Sequence, residues 1–79
     1  MKARVIVTLK AGVLDPQGKA IEGALKSLGM GGIGSVRQGK VFDVEVNADD
    51  REEANRKLSE ACEKLLANTI VEDYAVDYE

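Results

Sequence analysis

The first half of the chain carries a strand pattern followed by a helix pattern. In residues 3–10 apolar side chains occupy every second position, with Ile6 as the exception, which predicts a half-buried strand. Asp15 followed by Pro16 predicts a helix start, because the carboxylate accepts unpaired N–H groups and proline lacks one of them. Apolar residues at helical spacing then form one stripe: Ile21, Ala24, Leu25 and Leu28. Gly29 predicts the helix end, because glycine adopts a left-handed conformation without steric cost.

The middle of the chain predicts a hairpin of two unequal strands. Residues 33–38 predict a weak strand, and residues 40–47 predict a strong one in which apolar and polar side chains alternate. Gln38 and Gly39 lie between the two segments and predict the turn. The hairpin therefore supplies the second and third strands.

The last third of the chain predicts a second helix and a final strand. Asp49, followed three residues later by Glu52, is typical of a capped helix start. The apolar stripe of this helix comprises Ala54, Leu58, Ala61 and Leu65, widened by Cys62 and Leu66. Asn68 is a candidate for the residue that ends it. Residues 71–79 alternate again and predict the last strand.

The predicted order is strand, helix, strand, strand, helix, strand. This order indicates an α+β fold of the ferredoxin-like βαββαβ type, with an antiparallel sheet and two helices on one face. With 79 residues, we expect a single domain over residues 1–79. A domain of this size has a thin core, so burying a face against another chain would add stability, and we expect an oligomer.

Composition narrows the classes of function. The net charge is −3, and the 11 basic residues form no cluster, which argues against nucleic acid or an anionic membrane as partner. No apolar run approaches the ~20 residues of a membrane span. A single cysteine, Cys62, cannot form an internal disulfide, so a cytoplasmic setting is expected. The absence of histidine excludes Ser-His-Asp and Cys-His catalysis and argues against most zinc sites.

Residues 29–40 contain two near-matches to phosphate-binding motifs. One is G-x-G-x-x-G, at Gly29, Gly31 and Gly34; the other is G-x-x-x-x-G-K, at Gly34, Gly39 and Lys40. Both motifs need a helix after the glycines, whereas here a helix ends and a strand follows. Val41 also stands where the second motif needs a Mg²⁺-ligating hydroxyl. The sequence therefore predicts no catalytic, cofactor-binding or metal-binding residue in this chain.

Gln17 and Gly18 are the residues that the predicted fold does not explain. Glycine in the first turn of a helix costs up to ~1 kcal/mol relative to alanine, with no visible compensation. A tolerated glycine near a helix end is one interpretation, and contact with a partner is the other. The second interpretation predicts that replacing both residues by alanine leaves folding nearly intact and weakens assembly.

Four blocks of the sequence resemble the PurS family, the small subunit of phosphoribosylformylglycinamidine (FGAM) synthase. They are GVLDPQG at the start of the first helix, LG at its end, VR-GK at the hairpin, and C-KLLAN followed by EDY near the C-terminus. The blocks occur in the family's order and spacing and span nearly the whole chain.

The resemblance implies a role without catalytic residues of its own. It implies a bridging subunit that joins a glutaminase, PurQ, to a synthetase, PurL, and helps ammonia pass between them during ATP- and glutamine-dependent FGAM synthesis. ATP and Mg²⁺ would be used by the synthetase subunit, and the chain would form a homo-dimer or homo-tetramer. The partner-facing residues implied are Leu14, Asp15, Pro16, Gln17, Gly18, Arg37, Lys40, Asn68, Glu72 and Tyr74.

A second class of function stays open. The stretch around the first strand–helix junction also resembles that of ACT-like regulatory domains, which share the βαββαβ order and bind amino acids. Binding of an amino acid at that junction would distinguish this alternative from a bridging subunit.

Overall fold

The computed structural model describes all residues 1–79 and contains one sheet and two helices. Strand β1 is Lys2–Leu9, helix α1 is Pro16–Ser27, strand β2 is Gly39–Glu45, helix α2 is Arg51–Ala61 and strand β3 is Glu72–Tyr78. A five-residue π-helical turn, Cys62–Leu66, continues α2. The three strands are antiparallel in the order β2-β1-β3, so the predicted α+β class with an antiparallel sheet is confirmed.

The core lies between one face of the sheet and α2. Val5 at the centre of β1 pairs with Phe42 of β2 and Val76 of β3, so all three point to the same face. Ala54 and Leu58 of α2 and Cys62 of the turn that continues it recur every four residues and cover this face, and all three are buried. The buried apolar residues are Ala3, Val5, Val7, Val46, Ala54, Leu58, Cys62 and Ala67.

The opposite face of the sheet is mostly charged, although Ile6, Val41 and Ala75 form an apolar row across its centre. Arg4 donates to the carboxylate of Asp43 at 2.8 Å, and Lys10 donates to Asp73 at 2.8 Å. The hydrogen bond and charge of Arg4 lower the pKa of Asp43 below its ordinary value. Such exposed pairs contribute little to stability, but a charged strand face discourages pairing with other sheets.

The predicted strand at residues 33–38 is absent, and so is the turn at Gln38 and Gly39. The backbone N–H of Val36 donates to Glu22, and that of Gln38 donates to Asp15, so side chains hold the groups that a neighbouring strand would have bound. Gly39 instead begins β2 opposite Thr8. The chain by itself therefore has the order β-α-β-α-β.

The structure confirms two of the predicted helix termini and corrects a third. Asp15 caps α1 and Pro16 is its first residue, as predicted. Gly29 ends α1 with φ 78°, and the N–H groups of Gly29 and Met30 bond back to the last turn in a Schellman motif. The cap of α2 is Asp50, not Asp49, because the Asp50 carboxylate is the one that accepts from the third residue of the helix.

At the end of α2, the residues that are buried differ from those of the predicted apolar stripe. Ala61 is exposed and Leu65 is 84% exposed, whereas Leu66 is half-buried and Ala67 is buried. The π-helical turn widens the helix by one residue per turn and so rotates Leu65 out to solvent. Asn68 does not adopt a left-handed conformation; its side chain accepts from the N–H of Ile70 and shapes the turn into β3.

Helix α1 does not pack on the sheet of its own chain. No side chain of α1 belongs to the core or to the layer packed against it, and only Gly18 is buried. Of the two helices expected on one face of the sheet, only α2 therefore lies there. The chain is correspondingly elongated, 51 × 26 × 15 Å. None of its helices combines the length and apolar character that crossing a bilayer would require.

Leu58→Ala should destabilise the fold strongly, and Leu65→Ala should not. Leu58 is 2% exposed, so its truncation leaves a cavity and we expect a loss of about 2–5 kcal/mol. Leu65 is the matched control, because it is 84% exposed and should change stability by less than about 0.5 kcal/mol. Urea unfolding at one protein concentration measures both, and equal effects would contradict the placement of the core.

Candidate functional site

The predicted partner-facing residues gather at one end of the sheet. At this end β1 finishes, while β2 and β3 begin, and Val7 is paired with both Lys40 and Tyr74. The first turn of α1 is held against the same end. We call this region the sheet-end site, and its predicted members are Leu14, Asp15, Pro16, Gln17, Gly18, Arg37, Lys40, Asn68, Glu72 and Tyr74.

The carboxylate of Asp15 joins two distant parts of the chain at this site. Oδ1 accepts from the N–H of Gly18 at 2.9 Å, and Oδ2 accepts from the N–H of Gln38 at 2.7 Å. Asp15 is only 5% exposed. The pKa of Asp15 is lowered, first by the Gln38 N–H and then by that of Gly18, and the charge of Arg37 adds to this against the opposing effect of burial.

Gly18 has a structural reason that the sequence did not reveal. A Cβ atom at this position would lie 2.3 Å from the carbonyl oxygen of Val36 and 2.9 Å from Oδ2 of Asp15. Only glycine allows α1 to approach residues 36–38 so closely. The premise that Gly18 has no purpose in the fold is therefore wrong, and a role in partner contact would be additional to this packing.

Further contacts hold the segment before β2 in place. The guanidinium of Arg37 donates to the carbonyl of Lys10 at 3.0 Å and to that of Leu9 at 3.4 Å. Glu22 of α1 accepts from the N–H of Val36 at 3.1 Å. Arg37 thus fixes the end of β1, and the spare hydrogen-bonding capacity of its guanidinium faces solvent.

Lys40 and Glu72 form the other wall of the site. Their charged atoms are 3.6 Å apart, and the Glu72 side chain is only 13% exposed. The other oxygen of Glu72 accepts from the N–H of Asn68 at 2.6 Å, so it also closes the turn into β3. Tyr74 packs half-buried against the core.

A small cavity of about 140 Å³ lies between these walls. Its lining residues are Val7, Leu9, Asp15, Gln17, Gln38, Gly39, Lys40 and Glu72. Small-molecule sites usually measure about 300–1,000 Å³, so a nucleotide does not fit. Leu14 and Pro16 lie outside the cavity on the surface, and Leu14 is 68% exposed. The site therefore presents a contact surface around a shallow depression.

Some residues of this region were not predicted from the sequence. Gln38 and Val36 contribute through their backbone groups, which carry no residue-specific signal. Ile70, in the turn before β3, is 83% exposed although apolar, and Leu65 is 84% exposed. A turn between Asn68 and β3 could have indicated the exposure of Ile70, but the π-helical turn that exposes Leu65 leaves no pattern in the sequence.

The structure offers no catalytic constellation. Cys62 is fully buried in the core, and burial together with the charge of Glu63 raises the pKa of its thiol, so it is not a ready nucleophile. No group of three or more acidic or cysteine side chains is placed to hold a metal ion. Every buried side-chain polar atom already has a hydrogen-bond partner.

Comparison with known proteins decides the family. The family model for PurS, phosphoribosylformylglycinamidine (FGAM) synthase, matches residues 2–79. This chain belongs to the PurS family. A PurS subunit from Mycobacterium leprae is 49% identical over 80 residues, covering 99% of this chain and 95% of the relative. One from Archaeoglobus fulgidus is 45% identical over 76 residues, covering 96% and 95%.

Solved PurS structures share the elongated shape of this chain. Bacillus subtilis PurS superposes with a TM-score of 0.90 at 44% identity, over 99% of this chain and 96% of that one. A chain in the structure of PurLQS from Thermotoga maritima superposes with a TM-score of 0.88 at 36% identity, over 96% and 93%. The projecting α1 is thus a feature of the PurS fold and not of this sequence alone.

Gly18→Ala should destabilise the chain although alanine favours helices. The added methyl group meets the Val36 carbonyl at 2.3 Å, and such overpacking typically costs about 1–3 kcal/mol. Gly23→Ala is the matched control in the same helix, because nothing lies within 4 Å of its Cβ, and it should stabilise by up to about 1 kcal/mol. Thermal melts compare the two, and a stabilised Gly18→Ala would refute the close approach.

Asp15→Asn should remove a pH-dependent part of the stability. The native pKa of Asp15 lies below its ordinary value of 3.8, so its contribution is present above that value and disappears as pH falls through the native pKa. The difference in stability between the native chain and Asp15→Asn should therefore be constant from pH 7 to about 5 and shrink on further acidification. A pH-independent difference in urea unfolding would contradict this role.

Proposed function

We propose that this chain is the non-catalytic bridging subunit of FGAM synthase. In this role it joins the glutaminase PurQ to the synthetase PurL and assists the transfer of ammonia between them. The observation that carries the proposal is the match in shape, over nearly the whole chain, to a chain in the PurLQS structure of Thermotoga maritima. The sheet-end site is the surface proposed to face these subunits.

The chemistry of the chain supports this division of labour. Glutamine hydrolysis of the Cys-His type needs an exposed thiolate and a histidine, whereas Cys62 is buried and the chain has no histidine. Amide activation with ATP needs phosphate and Mg²⁺ ligands, and the glycines of residues 29–34 precede no helix. ATP and Mg²⁺ are accordingly assigned to the synthetase subunit, and no cofactor to this chain.

Self-association and location complete the proposal. The chain acts as a homo-dimer or homo-tetramer, because α1 leaves an apolar stripe uncovered in the single chain. The single cysteine, Cys62, is free and buried, which fits a reducing compartment, so the cytoplasm is the proposed location.

An ACT-like amino-acid sensor is not favoured by the junction of β1 and α1. A bound amino acid would need free N–H donors there for its carboxylate. The N–H groups of Gly18 and Gln38 already bond to Asp15, and the neighbouring cavity measures only about 140 Å³. Calorimetric titration with amino acids should accordingly show no micromolar binding.

Reconstitution tests the bridging function. Added to PurL and PurQ, the chain should restore glutamine-dependent FGAM formation and co-elute with both, while ammonia-dependent activity of PurL should not require it. Gln17→Ala with Leu14→Ala should weaken co-elution, because both side chains are exposed at the site and neither holds the fold. We expect an affinity loss of about tenfold, the effect of about 1.4 kcal/mol.

The control for this variant is Lys26→Ala, at an exposed position near the far end of α1. It should leave co-elution and activity unchanged. Equal glutamine-dependent turnover with and without the native chain would refute the bridging function.

A further inference from the structure

The outer face of the sheet, which we define as the side turned away from α2, carries an uncovered apolar row. Ile6 of β1 lies between Val41 of β2 and Ala75 of β3 in the strand register. Val41 is 58% exposed, Ala75 is exposed and Ile6 is half-buried. Neither helix covers this row, since α2 packs on the other side of the sheet and α1 packs on neither side.

Charged rows frame the apolar row. On one side of it Arg4 lies between Asp43 and Asp77, and on the other side Thr8 pairs with Asp73. An apolar centre inside a polar rim is the usual anatomy of a protein–protein interface. The charged groups of the outer face are the carboxylates of Asp43, Glu45, Asp73, Asp77 and Glu79 and the basic groups of Lys2, Arg4 and Lys10.

An acidic depression of about 360 Å³ opens at the end of the outer face farthest from the sheet-end site. Three carboxylates contribute to its lining, those of Asp43, Glu45 and Glu79, against one amine, that of Lys2. Arg4 neutralises Asp43 through its salt bridge, whereas Glu45 and Glu79 have no ion-pair partner. The depression therefore has the charge to accept a lysine or arginine side chain of another protein.

We propose that the outer face is a second contact surface of this chain and binds one of the two enzyme subunits. The subunit seats an apolar side chain on the apolar row and places a lysine or arginine in the acidic depression. This inference rests on the proposed bridging function and deepens it. A bridging chain holds two unlike proteins at once, and the sheet-end site lies at one end of the sheet only. Self-association repeats that same site, whereas unlike partners require unlike surfaces.

The area and charge of the outer face argue for a larger, basic partner and against a second copy. Three strands of seven or eight residues present about 330 Å² on one face. Each partner in a standard interface buries about 800 Å², so two copies joined by this face alone would fall short. Their matching excess of carboxylates would also repel. A subunit larger than this chain reaches past the edges of the sheet, and its basic groups complement the carboxylates.

A photoreactive side chain on the outer face identifies the occupant. With p-benzoylphenylalanine in place of Val41, irradiation of the complex with PurL and PurQ should link this chain covalently to one of these subunits. The same substitution at Leu65 is the matched control, because Leu65 is apolar and exposed but lies outside the outer face, and it should not form this adduct. An adduct of Val41→p-benzoylphenylalanine with a second copy, or no adduct, would overturn the proposal.

Charge substitutions measure the two parts of the contact separately. Val41→Asp, in the apolar row, and Glu45→Lys, in the depression, should each weaken binding of the linked subunit by about tenfold or more. Leu65→Asp and Glu63→Lys are the matched controls, because they make the same changes at exposed positions outside the outer face, and both should keep the native affinity. Calorimetric titration of the full chain with the subunit compares them.

Salt dependence and mass distinguish a lost contact from a lost fold. The native affinity should fall as salt is raised, and Glu45→Lys should make that dependence shallower, which general destabilisation would not do. By light scattering, both variants should keep the native mass without the other subunits, because Val41 and Glu45 are exposed and outside the core. Native affinity in both variants, or a reduced mass, would overturn the proposal.

The outcomes separate this contact from the bridging function itself. A native chain that restores glutamine-dependent FGAM formation, while Val41→Asp and Glu45→Lys bind both subunits with native affinity, refutes the outer-face contact alone. A chain that links to PurL or PurQ through Val41→p-benzoylphenylalanine, while the native chain fails to restore activity, refutes the bridging function alone.

Discussion

The Asp15 carboxylate is the interaction on which the shape of this protein depends. One oxygen caps α1 at Gly18, and the other holds the backbone of Gln38, 23 residues further along the chain. Two N–H donors keep the carboxylate ionised despite its burial. Because both ends of the segment 16–38 are fixed at this one side chain, the direction of α1 relative to the sheet is set there. Gly18 permits the close approach that makes this possible.

This constraint changes the meaning of the most recognisable stretch of the sequence. In LDPQG, the aspartate caps, the proline starts the helix and the glycine admits the Val36 carbonyl, so three of the five residues have structural reasons. Leu14 and Gln17 remain exposed and free for a partner. A family motif can thus combine residues that shape a surface with residues that present it. Lys40 and Glu72, paired across the same site, belong to the first kind as much as to the second.

The buried core of this chain is thin. Only one layer, between α2 and the middle strand, is fully buried, and Cys62 serves there as a small apolar residue. A chain that leaves the apolar stripe of a helix uncovered gains stability when another chain covers it. In the proposed bridging role, this dependence would couple correct assembly to correct folding.

The sequence by itself determined the local structure and the family. Period-two alternation located β1, β2 and β3, the Asp-Pro pair located the start of α1, and Gly29 located its end, because these signals depend only on neighbouring residues. Tertiary structure alone decided that residues 33–38 form no strand, that Leu65 turns outward, and that Gly18 lies against Val36. It also decided that α1 does not pack on the sheet of its own chain. Those outcomes depend on contacts between residues far apart in the chain, such as Asp15 with Gln38, and no local pattern encodes them.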